Sequence, residues 1–138
     1  MPWARELEHT ADVGFEVDAP SLATLFERAA LAMLATMIDL SDVQARDELP
    51  LALEADGLED LFHDWLQAVL VRVQADGFAA CEISVDAVDA RRLRATLGGE
   101  RIDPARHRLR TEVKGVTYHR LVVATTDAGW RTSFILDV

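Results

Sequence analysis

The chain has 138 residues, half of them hydrophobic, which suits a single folded domain, and we predict one domain over residues 1–138. Its 24 acidic and 14 basic residues give a formal net charge of −10, which argues against autonomous RNA or DNA binding. A local basic patch stays possible, and a basic protein or a cation is the better match for this charge.

The sequence shows no sign of a membrane or secretory segment. No stretch approaches the ~18 apolar residues of a membrane span, and the first residues lack the apolar core of a secretory signal. We therefore expect a cytoplasmic protein that does not contact a membrane. The single cysteine, Cys81, excludes an internal disulfide and lies in an apolar run, so we expect a buried structural residue and not a nucleophile.

The first predicted elements are a strand and a helix. Apolar and polar residues alternate over 13–17, as in a half-buried strand. Ser21 is a suitable N-cap for the helix that follows. Apolar residues then recur at helical spacing over 22–37, which predicts a helix packed on a core.

A loop, a short strand and a second helix are predicted next. Residues 41–50 are charged and end at a proline, which indicates a loop, and alternation over 51–55 indicates a strand. Asp56 with Glu59 has the form of a capping box for the second helix, and Gly77 should end it. The apolar stripe leaves a polar opposite face made of Glu59, Asp60, His63, Asp64 and Gln67.

The second half of the chain is rich in predicted strands. Residues 82–87 and 92–97 alternate, and turns are expected at Gly98-Gly99 and at Asp103-Pro104. A β-rich stretch over 109–125, a hairpin turn over 127–129 and a last strand over 130–137 follow. The predicted fold is α+β: one mixed or antiparallel sheet with two amphipathic helices on one side.

Two aspartates are the best candidates for chemistry. Asp12 precedes the first alternating strand, and Asp137 follows the last apolar strand and is followed by Val138. Carboxylates brought together repel each other unless they are protonated or bound to a cation, and oxygen ligands suit Ca²⁺, Mg²⁺ or Mn²⁺. Spacing alone does not show that the two meet, and two separate solvated aspartates are the simpler interpretation.

Three further polar residues have ordinary explanations when taken singly. Lys114 fits a solvated residue on a β-strand, and His119, beside a tyrosine, fits a structural histidine. His9 lies in a polar segment before the first strand, where its ring can cap a turn or pair with Glu8.

Five segments form an ordered set: His9-Thr10-Ala11-Asp12-Val13-Gly14, residues 25–33, residues 58–66, Val113-Lys114-Gly115-Val116-Thr117-Tyr118-His119, and Gly129-Trp130 with Ile135-Leu136-Asp137-Val138. Taken together, these segments resemble the archease family. Two residues depart from the family pattern: Gly115 stands where alanine is expected, and Gln67 stands where asparagine is frequent. We expect both departures to lie away from the candidate carboxylates.

The resemblance implies a function that composition does not reveal. Archeases assist an RtcB-type RNA ligase in tRNA splicing and RNA repair, promoting its guanylylation and turnover without catalysing a reaction themselves. Asp12 and Asp137 would be metal ligands, with a backbone or terminal oxygen of Val138. The cation would be divalent, with Ca²⁺ first and Mg²⁺ or Mn²⁺ as alternatives. Lys114, with His9 and His119, would contribute to activation of the partner.

Two other functions remain open at this point. A stand-alone metal-dependent phosphoesterase would use the same carboxylates with His9 or His119 as general base. A general chaperone or interaction module would require an exposed apolar patch, whereas the predicted outer faces are mostly charged.

Overall fold

The computed structural model describes residues 2–8 and 12–138 and has the predicted α+β character. The helices are α1 (Leu22–Met37) and α2 (Leu58–Asp76), and a short 3-10 turn follows α1 at Leu40–Asp42. The strands are β1 (Ala4–Glu8), β2 (Asp12–Ala19), β3 (Asp47–Glu54), β4 (Phe78–Val88), β5 (Arg92–Arg101), β6 (Gly115–Val116), β7 (Val122–Thr126) and β8 (Gly129–Asp137). Within these described residues, no helix is both long and apolar enough to span a membrane.

The strands form two antiparallel sheets where the sequence predicted one. A five-stranded sheet has the order β1-β2-β8-β6, with β7 also paired to β8, and a three-stranded sheet has the order β3-β5-β4. Helix α1 packs on β2, β8 and β4, while α2 packs on β3, β4, β6 and β7. Both helices therefore lie against both sheets, and one hydrophobic core includes side chains from all of these layers.

The helix ends follow local rules, with one exception. Ser21 caps α1 as predicted, because its side chain accepts a hydrogen bond from the Thr24 N–H. Gly77 ends α2 in the left-handed conformation, at a φ of 61°. The predicted cap by Asp56 is wrong, since Gly57 is the N-cap and makes no side-chain hydrogen bond. The acidic residues of the first turn of α2 already complement the helix dipole there.

Two predicted loop features lie inside strands. Residues from Asp47 onward belong to β3, and Pro50 is accommodated because β3 is an edge strand of its sheet. Gly98 and Gly99 are not a turn but part of β5. A Cβ on Gly99 would lie 1.9 Å from the Ala79 carbonyl oxygen, so the glycine permits close approach of β4. The predicted turns at residues 103–104 and 127–129 are confirmed.

The segment between β5 and β6 is held by a buried charge cluster. The Glu100 carboxylate accepts hydrogen bonds from the Arg106 guanidinium at 2.5 Å and from the Gln44 backbone N–H at 2.7 Å. The Nε2 atom of His107 lies 3.1 Å from the same carboxylate. The bond from Arg106, followed by those from Gln44 and His107, lowers the pKa of Glu100 to about 2. This cluster ties the segment to the loop after α1.

The single cysteine is less buried than the sequence predicted. Cys81 lies in β4 and is half-buried, and desolvation raises the pKa of its thiol.

Candidate functional site

Asp12 and Asp137 lie directly opposite each other on neighbouring strands. Strands β2 and β8 pair in an antiparallel register that makes Asp12 the partner of Asp137. Side chains of opposed residues in such a pair project from the same face, with Cβ atoms about 5 Å apart. The structure therefore brings together two carboxylates that the sequence placed near opposite ends of the chain.

The carboxylate pair lies on the face of the sheet away from the helices. Phe15 and Leu136 face the core, so strand alternation directs Asp12 and Asp137 to the other face. Asp12 is half-buried and Asp137 is exposed. The next pair on this face is Gly14 with Ile135, and Ile135 is only 3 % exposed. The pair thus borders a covered apolar position, and the Asp137 side chain is exposed.

The Lys114 backbone is hydrogen-bonded to Asp137 on the side of β8 that faces β6, opposite to β2. Gly115 in β6 pairs with Asp137, so the expectation that this departure from the family pattern lies away from the candidate carboxylates is wrong. The Lys114 N–H donates to the Asp137 carbonyl oxygen at 2.7 Å. The Lys114 side chain is exposed, and no ion pair within the described part of the chain joins it to either aspartate. Its ammonium therefore does not neutralise the carboxylate pair in this structure.

The oxygen donors at this end of the sheet suit a hard cation. The Asp137 carbonyl oxygen already accepts a hydrogen bond from the Lys114 N–H. The next backbone oxygen in the chain belongs to Val138, whose side chain packs against the core. Two carboxylates with a neighbouring backbone oxygen form the kind of donor set that Ca²⁺, Mg²⁺ and Mn²⁺ accept. Among the side chains that the structure describes, no group of three or more His, Cys, Asp or Glu is close enough to hold a metal. Water or a partner must supply the remaining ligands.

The two candidate histidines are placed differently. His9 lies outside the described residues. His119 lies in the turn between β6 and β7, where its backbone N–H donates to the Thr117 hydroxyl at 3.2 Å and its side chain is exposed. No hydrogen bond within the described segments connects the His119 ring to Asp12 or Asp137.

His63 is a residue that the sequence interpretation missed, since it was assigned to the outer face of α2. Its Nε2 lies 2.8 Å from the Val116 carbonyl oxygen, and its Nδ1 lies 3.1 Å from an Asp64 carboxylate oxygen. One turn further along, the Gln67 side chain accepts from the Val116 N–H at 3.3 Å. Helix α2 therefore holds the short strand β6 beside Asp137. The spacing of His63 and Gln67, four residues apart, was the available signal.

Comparisons with known proteins identify the family of this chain. Residues 5–138 match the model of the Archease protein family (MTH1598/TM1083). The chain is 36% identical to protein archease of Methanopyrus kandleri over the full length of both chains. It is 32% identical to that of Sulfolobus acidocaldarius, covering 95% of each chain.

Two solved structures share the fold. The solution structure of Methanobacterium thermoautotrophicum protein 1598 has a TM-score of 0.83 and 31% identity, with both chains fully covered. The crystal structure of an archease from Thermotoga maritima, described as a possible chaperone, has a TM-score of 0.70 and 24% identity, covering 97% of this chain and 96% of that one. At this lower identity the likeness concerns the fold alone.

Proposed function

Because this chain belongs to the archease family, we propose that it activates an RtcB-type RNA ligase by promoting guanylylation and turnover, and that it catalyses no reaction itself. The observation that supports this proposal is the opposition of Asp12 and Asp137 across β2 and β8. Two like charges held together at an accessible end of a sheet are unfavourable unless a cation binds them. Such a pair suits an activator that presents an ion to its partner.

In this proposal, the residues of the chain hold and orient the ion. Asp12 and Asp137 bind it from one face of the sheet, and Val138 adds a backbone oxygen. The bound cation supplies positive charge that stabilises phosphate oxygens. Lys114 keeps Asp137 in place through its backbone, while its exposed ammonium is available to the partner or to a phosphate.

The acidic surface fits this function better than direct RNA binding. A net charge of −10 favours association with a basic protein surface and disfavours free RNA. By binding one conformation of the ligase more tightly than another, the protein shifts the equilibrium of its partner without breaking a bond.

The test is a guanylylation assay with a cognate RtcB-type ligase, GTP and a divalent ion. We expect the wild-type protein to raise the rate and the number of turnovers, and Asp12→Asn to lose most of this stimulation. Asp127→Asn is the matched control, because it removes one carboxylate at the opposite end of β8. Equal rates with and without the wild-type protein would reject the proposal.

The same preparation separates the alternatives. A stand-alone phosphoesterase would hydrolyse nucleotides or phosphoesters without the ligase, and that turnover would fall in Asp12→Asn. A general chaperone would suppress aggregation of many unrelated clients, and the Asp12→Asn substitution would leave that effect unchanged.

A further inference from the structure

Tyr118, which follows β6, presents an aromatic ring in a fixed orientation. It is 54 % exposed, and one face of its ring is stacked on His63 with centroids 4.0 Å apart and an interplanar angle of 14°. His63 is itself held by the Val116 carbonyl and by Asp64. With one ring face covered by a fixed imidazole, the exposed area of Tyr118 lies on its opposite face and rim.

Two aspartates of α2 act on this ring. Desolvation raises the pKa of Tyr118, and the carboxylates of Asp60 and Asp64 raise it further. Within the described part of the chain, Asp60 forms no ion pair, and Asp64 pairs with His63 alone. These carboxylates have no arginine or lysine partner among the described residues. A cation placed on the exposed ring face would therefore be attracted both by the quadrupole of the ring and by the negative charge of the carboxylates.

We propose that Tyr118, Asp60 and Asp64 form a receptor for an arginine or lysine side chain on a basic partner protein, with His63 as the positioning residue behind the ring. This inference rests on the proposed function, in which the partner is the ligase. Charge complementarity selects a protein cation as the occupant, because the receptor and the chain as a whole are acidic.

The receptor adjoins the short segment that pairs with Asp137. Lys114 bonds to Asp137 through its backbone, Val116 bonds to His63, and Tyr118 follows two residues later. Tyr118 therefore lies on the α2 side of β6, whereas the carboxylate pair projects from the face of the sheet away from the helices, so the two sites would contact different surfaces of a partner. Fixed aromatic residues in such positions often dominate binding, since little side-chain freedom is lost on association.

The affinity of the ligase for the variants tests the proposal. Tyr118→Ala should weaken binding about tenfold, whereas Tyr118→Phe, which keeps the ring face, should bind like wild type. The double variant Asp60→Asn/Asp64→Asn should also bind more weakly, with a smaller dependence of affinity on salt. Val122→Ala is the matched control, because Val122 is another exposed hydrophobic residue and lies outside the receptor.

A direct readout of the ring completes the experiment. Tyr118 is the only tyrosine in the chain, so incorporated 3-fluorotyrosine gives a single ¹⁹F resonance. That resonance should shift on addition of the ligase or of N-acetylarginine amide, and not on addition of the neutral citrulline analogue. Wild-type affinity in a folded Tyr118→Ala protein, or an equal response to both small probes, would overturn the receptor while leaving the ligase function intact. Failure of the wild-type protein to bind the ligase would reject both.

Discussion

Replacing Asp12 with asparagine should change protein stability in opposite directions with and without a divalent ion. Asparagine keeps the shape of the side chain and removes one of two like charges on opposed residues. Unit charges about 5 Å apart repel by about 0.8 kcal/mol in bulk water and by more in a half-buried site, less what salt screens. In EDTA we therefore expect Asp12→Asn to be about 1 kcal/mol more stable than wild type.

The difference in stability between Asp12→Asn and wild type should reverse its sign when the ion is present. An ion at a hundred times its dissociation constant stabilises the native wild-type protein by about 2.7 kcal/mol. The variant should gain little, so wild type becomes the more stable protein by about 2 kcal/mol. For a chain of this size, 1 kcal/mol corresponds to roughly 4 °C in Tm.

Urea unfolding followed by tryptophan fluorescence in EDTA and in CaCl₂ or MnCl₂ provides the measurement, since Trp65 is fully buried in the core. Asp127→Asn is again the control and should respond to the ion as wild type does. The reasoning is refuted if Asp12→Asn is less stable than wild type in EDTA, or if the ion stabilises both proteins equally.

Four further predictions concern other residues. Lys114→Met should fold with wild-type stability, because the side chain is exposed, but should stimulate the ligase less in the guanylylation assay. Since the pKa of Glu100 is lowered from 4.5 to about 2, its stabilising contribution is complete above pH 4.5 and is lost as the pH falls toward 2; acid unfolding of Glu100→Gln should lack this component. Gly99→Ala should lower the free energy of unfolding by about 3 kcal/mol, because the new Cβ would clash with the Ala79 carbonyl. Gly115→Ala, whose Cβ meets nothing within 4 Å, should change it by less than about 0.5 kcal/mol in the same urea titration.

Much of the local structure was predictable because it depends on residues close in sequence. The apolar stripes of both helices, the cap at Ser21, the stop at Gly77 and the turn before the last strand follow from spacing and turn chemistry. One exception depends on a tertiary contact. The Gly98-Gly99 pair is typical of a turn, yet both residues lie in β5. Glycine is needed at position 99 because β4 approaches closely there, and the neighbouring residues in the sequence do not predict that contact.

The candidate site was predictable only as a set of separate residues. The sequence named Asp12, Asp137 and Lys114 from motifs and family resemblance, and left open whether the two carboxylates meet. His63 was assigned to the solvent face of α2, because the helical pattern does not show that β6 lies against that face.

The sequence by itself determined the α+β class, the two buried helix stripes and the family, since these depend on periodicity and on ordered motifs. Only the tertiary structure decided that β2 lies beside β8, that Asp12 faces Asp137, and that His63 supports Tyr118. Strand pairing joins segments far apart in the chain, and alternation is the same whichever neighbour a strand has. The register across β2 and β8, and not the composition of either strand, places two like charges opposite each other.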